Sequence, residues 1–404
     1  MSESLQTPPA YFAEVQGLFG PVTLSERVFQ KIWHRGEFRS DALFTTSGKR
    51  IEIVSRGRWN KLGGPDFLDA ELRFDGKRVL GDIEFHFYAE DWFAHGHDKN
   101  PEFGNVVLHV LLFPPKKNFP EKNARGNAME TLLLLPHLTV DVEEYASSEA
   151  ISALEGRAEA DAALEILLEK SPAERDALVE KCARERYAQK VRFMQKRLER
   201  ASWEQTLHEV VLETLGLKRN RTPMSRLALK FSPSAMLLAG TDALLNANAG
   251  TWHLSGVRPA NHPRARLEQY LKLLEKNPAW TRKILEAAEI LPTSGFFSFS
   301  GKMFRTAQKL PALRKIFAEE IFAESIGGTR FETLMCDAVF PLIAAKRDLN
   351  LFPLWFHWFV GDAPAKTLPV LRAAELVSRE RPLCNGSFQA LLQIFLTRRE
   401  TERE

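Results

Sequence analysis

The chain has 404 residues, of which 44% are hydrophobic and 26% are charged, and its 55 basic residues nearly balance its 52 acidic ones. This composition excludes a disordered or fibrous protein, and a net charge of +3 gives no global field that would mark a polyanionic partner. A chain of this length exceeds one ordinary hydrophobic core, so we expect two or three domains.

The cysteines and the N-terminus bear on location. Cys182, Cys336 and Cys384 lie far apart and form no CxxC pair, so neither a disulfide framework nor a thiolate zinc site is indicated. The N-terminal stretch MSESLQTPPAYFAEVQ lacks the basic-then-apolar pattern of a signal peptide. No apolar run approaches the roughly 18 residues of a membrane span. We therefore expect a cytoplasmic protein without a membrane partner.

The first third of the chain predicts a mixture of helix and strands. Apolar residues recur at helical spacing over 24–33, and alternating polarity predicts strands at 50–55, 68–74 and 78–87. The last two strands are joined by a turn at Asp75-Gly76. A short helix within AEDWFAH and a dense apolar strand at 105–113 follow. The predicted order is therefore α-β-β-β-α-β.

After about residue 140 the strand signals nearly vanish. Helical stretches are predicted at 147–170, 173–200, 202–215, 264–290, 308–326, 331–346, 366–378 and 387–398. The sequence thus predicts an α+β protein, with an α/β core at 20–140 and a mainly α-helical domain at 141–404. Breaks such as GLKRNRTP and GVRPANHP would divide that helical domain into two sub-bundles.

The strand predicted at 78–87 carries several ionisable groups on one face. A two-residue period puts Asp82, Glu84 and His86 together, and the opposite face is apolar. Three such groups on the inner part of a sheet are costly unless they hold a metal or a substrate. Asp66 adds a carboxylate just before the hairpin, and Asp66 with Glu84 would suit a hard cation such as Mg²⁺. We therefore predict a functional site here.

The order of elements, the PD pair at 65 and 66 and the EFH stretch at 84 to 86 resemble the PD-(D/E)XK nuclease superfamily. The resemblance implies that Asp66 and Glu84 bind Mg²⁺ or Mn²⁺, that His86 positions or activates the attacking water, and that Glu26 of the first helix assists. His86 stands where this superfamily usually has lysine. A neutral imidazole can act as a base, or can instead bind the metal and favour manganese or zinc.

The register of the hairpin tests this resemblance. A two-residue loop at Asp75-Gly76 puts Phe67 opposite Glu84 and turns Asp66 to the apolar side. A nuclease-like site would require a G1-type bulge at the turn or a bend at Pro65. A purely structural hairpin would need neither.

Longer stretches resemble the bacterial domain-of-unknown-function family 2851. They are TTSGKRIEIVSRGRWNKLGGPDFLDAEL (45–72), GDIEFHFYAEDWFAHGHDKNPEFGNVVLHV (81–110) and RPANHPRARLEQYLKLL (258–274). They occur in order and extend over most of the chain. This resemblance implies membership of the family and no activity.

A second cluster of chemical groups follows the hairpin. Asp91, His95 and His97 form a D-x3-H-x-H group, and His109 lies in the next strand. They would bind a metal themselves, support the metal ligands or face a substrate. The alternative is a solvated turn in which the two histidines pair with Asp91 and Asp98.

Several arginines stand at predicted helix starts, where backbone N–H groups and guanidinium groups together make a phosphate site. They are Arg219, Arg221, Arg258, Arg264 and Arg266. Buried arginines that tie helices together would leave the same pattern. The chain has no GxxxxGK[ST], GxGxxG or GxSxG motif, which disfavours a standard nucleotide-binding loop and serine acyl transfer.

The leading hypothesis is a metal-dependent, nuclease-like phosphodiesterase that uses Mg²⁺ or Mn²⁺ and acts on DNA or RNA. The alternative is a non-catalytic nucleic-acid-binding or scaffold protein with a degenerate nuclease core, in which His86 marks lost activity. A third hypothesis is a hydrolase that uses the histidine cluster on a small phosphorylated or glycosylated molecule.

Overall fold

The computed structural model describes residues 26–61, 63–115, 122–138, 145, 150–151, 154, 156–255, 257–293 and 297–401. The chain divides into two compact units, residues 1–146 and 147–404. Every strand of the described residues lies in the first unit, and the second is mostly helical. The protein is therefore α+β, with an N-terminal sheet and a mostly helical C-terminal region.

Helix α1 (Glu26–Arg35) covers one face of the sheet. Its buried side chains recur at helical spacing, as its sequence predicts, whereas residues 24 and 25 of the predicted helix lie outside the described residues. Phe29 and Trp33 of α1 pack against Phe85, with ring centroids 5.0 and 5.5 Å apart. The sheet face that the alternating pattern marks as apolar is thus the face that α1 buries.

The sheet has seven strands, of which two are only two residues long. They are β1 (Leu43–Phe44), β2 (Arg50–Ser55), β3 (Arg58–Trp59), β4 (Phe67–Phe74), β5 (Lys77–His86), β6 (Val106–Leu111) and β7 (Glu130–Leu133). The strand order is β1-β2-β4-β5-β6-β7, with β3 beside β4. β4 and β5 form an antiparallel hairpin, and β6 lies parallel to both β5 and β7. Helix α2 (Asp91–Ala94) and a 3₁₀ turn (Pro101–Asn105) connect β5 to β6.

The order α-β-β-β-α-β predicted from the sequence is incomplete. β2, β4, β5 and β6 correspond to predicted strands, whereas β1, β3 and β7 were not predicted. A two-residue strand has no periodicity to detect. β7 is a short apolar run, and periodicity alone cannot distinguish such a run from a buried piece of helix.

The hairpin contains a β-bulge within β4. Pairing runs without interruption from Phe74 opposite Lys77 to Ala70 opposite Gly81, and then resumes with Phe67 opposite Ile83. Two residues of β4, Leu68 and Asp69, therefore lie opposite a single residue of β5. Asp69 takes a positive φ of 58°, which aspartate tolerates better than most residues.

The sequence predicted a bulge at the turn or a bend at Pro65, whereas the bulge of the structure lies within β4. The register does shift by one residue, but it does so inside the hairpin, because the Asp69 N–H donates to Asp82 Oδ1 at 3.1 Å. The shift brings the start of β4 beside Glu84. The Asp66 N–H donates to Glu84 Oε2 at 3.0 Å. The bulge in β4 thus supplies the shift of register that was expected at the turn.

The second unit is built from helices, which include two π-helical segments at Ile316–Ile321 and Met335–Val339. In the described residues the α-helices are α3 (Arg157–Leu168), α4 (Pro172–Leu198), α5 (Trp203–Leu215), α6 (Leu217–Lys230), α7 (Pro233–Ala247), α8 (Pro263–Lys276), α9 (Trp280–Ala287), α10 (Gly301–Ala307), α11 (Leu310–Lys315), α12 (Gly328–Leu334), α13 (Phe340–Arg347), α14 (Phe352–His357), α15 (Thr367–Ala373) and α16 (Asn385–Thr401).

The helix predictions were right in kind and wrong in detail. The predicted helix 264–290 is two helices, and α6 and α7 were not predicted. The break predicted at GLKRNRTP is wrong from Leu217 onward, because Pro223 lies inside α6 and tertiary packing overrides it. Gly240, in contrast, has a φ of +71° and kinks α7. The predicted helix 147–170 is described as a helix over Arg157–Leu168, and several residues between 147 and 155 lie outside the described ones.

The cysteines form no disulfide, and the helices of the described residues include no candidate membrane span. Cys182, Cys336 and Cys384 are free and buried in the helical unit. Across the described ranges, every helix is either too short or too polar to cross a bilayer.

Candidate metal centre

The last residues of β5 are buried on both faces of the sheet. Glu84 and His86 are 5% and 1% exposed, on the face opposite the aromatic packing of α1. In the parallel pairing of β5 with β6, Glu84 lies opposite His109. His86 Nδ1 is 2.8 Å from His109 Nε2, so β6 fixes the orientation of the His86 ring. His86 Nε2 points the other way, towards His95 Nδ1 at 3.2 Å.

The turn after β5 returns two histidines to the strand end. Asp91 Oδ2 accepts the Tyr88 N–H at 3.0 Å, which closes the turn into α2. His97 then lies stacked on Phe103 with ring centroids 3.8 Å apart. Its Nε2 is 3.3 Å from Glu84 Oε1. The D-x3-H-x-H stretch is therefore folded back onto β5, and it is not a separate solvated turn.

Three imidazoles present donor atoms to one point, and Glu84 lies beside two of them. One ring nitrogen each of His86, His95 and His97 lies within 4.8 Å of the other two. Glu84 Oε1 is 3.8 Å from His86 Nε2 in addition to its contact with His97. Three imidazoles and a carboxylate are a donor set that proteins use for zinc, manganese and other transition metals. The residues present thus fit a metal ion.

Asp66 and Glu26 border this donor set. Asp66 Oδ1 accepts from Gln30 Nε2 at 2.6 Å, and its Oδ2 accepts the Phe85 N–H at 3.0 Å. Burial, and then the charge of Glu84, raise the pKa of Asp66, and burial also raises the pKa of Glu84. The charge of Glu26 raises both pKa values further. Two adjacent buried carboxyl groups need a proton or a cation between them.

The pKa values of His86, His97 and His109 are lowered, which keeps these three imidazoles neutral. Burial, followed by the charges of the neighbouring histidines, lowers the pKa of His86 to about 2. Burial likewise lowers the pKa of His109 to about 3, and that of His97 below its ordinary value. Neutral imidazole is the form that binds metals. His86 and His97 are therefore in the form that binds a cation across the physiological pH range.

Asp82 and Asp91, two of the predicted site residues, each accept a hydrogen bond from a backbone N–H. Asp82 accepts the Asp69 N–H of the bulge and, at 3.2 Å, a bond from Asn105 Nδ2. Asp91 holds the turn into α2. Their roles are to set the register and the turn that bring the other residues together.

The predicted phosphate-binding arginines lie in the helical unit, mostly with protein partners. Arg221 Nη1 is 3.5 Å from Glu213, Arg264 Nη2 is 2.6 Å from Asp242, and Arg266 Nη1 donates to Gln269 at 2.8 Å. Arg258 is exposed before the 3₁₀ turn Pro259–Asn261, and the side chain of Arg219 lies outside the described residues. Arg221, which joins α6 to α5, and Arg264, which joins α8 to α7, match the interpretation in which arginines tie helices together.

Sequence reasoning missed Gln30 and Trp59. Gln30 Oε1 accepts from Trp59 Nε1 at 3.1 Å, while its amide group donates to Asp66. The spacing of Glu26 and Gln30, four residues apart on α1, puts both on one helix face and is a signal that would have identified Gln30.

Comparison with known families gives a match that covers the sheet and part of the helical unit. The family model described as "Protein of unknown function (DUF2851)" matches residues 26–249, more than half of the chain. Neither the curated proteins nor the solved structures include a match to this chain.

Proposed function

Because the chain belongs to the DUF2851 family, whose description states no activity, we propose from its own site that it is a metal-dependent, nuclease-like phosphodiesterase acting on nucleic acid. One observation carries the proposal: three histidines present their ring nitrogens to one point, Glu84 contacts two of them, and Asp66 lies beside Glu84. The bulge in β4 brings Asp66 to that position.

The donor set determines which metal is expected. Glu84, His86, His95 and His97 would hold it, and their imidazoles favour Mn²⁺ or Zn²⁺ over Mg²⁺. A divalent ion here would polarise a phosphoryl oxygen and lower the pKa of a water molecule. His86 Nδ1 is engaged with His109, the kind of outer contact that fixes the orientation of a metal-binding imidazole.

The remaining carboxyl group is suited to moving a proton. Asp66 keeps a raised pKa because it is buried beside Glu84, so it can exchange a proton near neutral pH. Gln30 and the Phe85 N–H hold its two oxygens in place. His86, with a pKa of about 2, is too weak a base for this role, so we assign it to the metal and not to the water.

The same property of His86 favours a second candidate function. A neutral imidazole does not supply the positive charge of the lysine that the PD-(D/E)XK pattern usually has at this position. A protein that retains the core and binds nucleic acid without cleaving it is therefore the alternative.

Calorimetric titration of Zn²⁺, Mn²⁺ and Mg²⁺ tests the metal site. We expect stoichiometric binding of Zn²⁺ or Mn²⁺ that is lost in Glu84→Ala and in His97→Ala. Glu52→Ala, which removes an exposed carboxylate of β2, is the matched control and should bind like the wild type. Absence of binding, or binding that survives both site variants, would refute the metal centre.

Hydrolysis of bis(p-nitrophenyl) phosphate tests the reaction separately. We expect metal-dependent release of p-nitrophenol by the wild type and its loss in Asp66→Asn, which should still bind metal. Metal binding without any hydrolysis of this ester or of nucleic acid would support the non-catalytic alternative.

A further inference from the structure

A group of cations and aromatic rings lies at the side of the sheet that α1 covers. It consists of His34, Arg56, Trp59 and Lys61, which we call the platform. Trp59 is half-buried: its ring lies nearly parallel to that of Phe67, with centroids 6.3 Å apart. Lys61 Nζ is 4.9 Å from the centre of the Trp59 ring, and the exposed His34 ring is 5.3 Å from it.

The cations of the platform converge from two segments of the chain. Arg56 and Lys61 are both exposed and flank the short strand β3. A Cβ atom added at Gly36 would lie 2.8 Å from Arg56 Nη1, so the guanidinium group lies against the end of α1. After burial, the charges of Arg56, Arg35 and Lys61 are what lower the pKa of His34. Positive charge is thus concentrated around one exposed ring.

The platform is connected to the carboxylates of the site. Trp59 Nε1 donates to Gln30 Oε1 at 3.1 Å, and Gln30 Nε2 donates to Asp66 Oδ1 at 2.6 Å. Trp59 is therefore two hydrogen bonds from Asp66. The platform is thus linked to the carboxyl group that lies beside Glu84.

We propose that the platform binds single-stranded nucleic acid, with an unpaired base stacked on Trp59 and backbone phosphates at Lys61 and Arg56. This inference rests on the proposed function, whose substrate it narrows to unpaired strands. Aromatic side chains flanked by basic ones bind single strands because every base has a face on which a ring can stack. In a duplex those faces are covered by neighbouring bases, so a ring on the protein surface cannot reach them.

Fluorescence anisotropy with labelled oligonucleotides, in EDTA so that no metal contributes, tests the platform. Single-stranded DNA, single-stranded RNA and the matching duplexes are compared at several salt concentrations. We expect Trp59→Ala to weaken single-strand binding by roughly 5- to 100-fold, whereas Trp59→Phe, which keeps a ring, retains most of it. We expect Lys61→Ala to reduce the slope of log affinity against log salt by about one.

Lys77→Ala is the matched control for Lys61→Ala, because Lys77 is an exposed lysine of the same sheet at the hairpin turn. It should leave both binding and ester hydrolysis unchanged. Because Lys61 is exposed, its variant tests the platform even where Trp59→Ala does not fold. Duplex binding as tight as single-strand binding, or equal binding by the Lys61 and Lys77 variants, would overturn the inference. Hydrolysis of bis(p-nitrophenyl) phosphate with no oligonucleotide binding would refute the platform alone, and binding without hydrolysis would refute the phosphodiesterase alone.

Discussion

Replacement of Glu84 by glutamine should change stability in opposite directions with and without metal. Glutamine keeps the volume of the side chain and an oxygen to accept the Asp66 N–H, which Glu84 Oε2 accepts at 3.0 Å. It removes one of two adjacent buried negative charges. The substitution should therefore raise the free energy of unfolding without metal and lower it with metal, and both changes can be given a magnitude.

In the metal-free protein the charge of Glu84 is a cost. Its pKa in the fold is raised above the ordinary value of 4.5, so the stability present below pH 4.5 is lost as the pH rises towards the raised pKa. Each pH unit in that window costs about 1.4 kcal/mol. Glutamine has no proton to lose, and at pH 8 we expect Glu84→Gln without metal to be more stable by roughly 2–4 kcal/mol.

With metal the order should reverse. A ligand at 100 times its dissociation constant stabilises the folded state by about 2.7 kcal/mol, and at 1,000 times by about 4.1 kcal/mol. The wild type should gain this amount, whereas Glu84→Gln lacks the charged ligand and should gain little. Domains of 150–250 residues shift their melting temperature by about 2–4 °C per kcal/mol. The two effects are therefore both measurable.

Thermal denaturation at pH 8, in EDTA and in saturating Mn²⁺ or Zn²⁺, decides the matter. Glu52→Gln on the exposed part of β2 is the control and should follow the wild type in both conditions. The reasoning is refuted if Glu84→Gln is less stable than the wild type in EDTA, or if both proteins gain equally from the metal.

Three further changes test other parts of the structure. Asp69→Val should cost about 1–3 kcal/mol in urea unfolding and weaken metal binding, because Asp69 has a φ of +58° that a β-branched residue resists, whereas Asp69→Gly should keep both properties. Burial lowers the pKa of His357 from 6.5 to about 4. As the pH falls, the unfolded chain therefore binds a proton at this histidine before the folded protein does, and about 3 kcal/mol of stability should be lost between pH 6.5 and pH 4. His357→Leu should remove that part of the pH dependence of unfolding. Lys190 Nζ lies 3.0 Å from Asp337 Oδ1 inside the helical unit, so Lys190→Met should cost about 3–5 kcal/mol, and adding Asp337→Leu should restore most of it.

Each of these has a contrary result. Equal metal affinity in the valine and glycine variants at Asp69 would mean that the bulge does not position the site. An unchanged acid profile in His357→Leu would show that this histidine is not buried as neutral imidazole. A double variant at Lys190 and Asp337 as unstable as the single one would attribute the loss to packing and not to a stranded charge.

The hairpin shows how far the sequence determines the site. Alternating polarity correctly predicted β2, β4 and β5, because apolar and polar residues alternate over several positions of each strand, although in β5 the polar residues Asp82, Glu84 and His86 are buried as well. The bulge that aligns Asp66 with Glu84 was not placed, since the sequence of β4 alternates normally through Asp69. Its cause is a contact between strands, the Asp69 N–H to Asp82, and a periodicity confined to one strand does not contain that contact.

The histidines show the same limit in a different way. His95 and His97 are two residues apart in the D-x3-H-x-H motif, but their distance from Glu84 depends on how the turn after β5 folds back. That path is set by Asp91 at the Tyr88 N–H and by the packing of His97 on Phe103. The motif indicated groups that can bind a metal, whereas these tertiary contacts determine that His97 lies beside Glu84.

The replacement of lysine by His86 connects the two halves of the proposal. A lysine beside Asp66 and Glu84 would itself offset their buried charge, but the pKa of about 2 at His86 means that imidazole offers none. In the proposed metal centre a bound cation supplies that charge, and His86 supplies a nitrogen ligand for it. His95 and His97 add two more nitrogens at distances of a few ångströms. We therefore propose that His86 and the histidine-rich turn after β5 belong to one arrangement, in which a metal ion supplies the positive charge that a lysine would supply in the PD-(D/E)XK pattern.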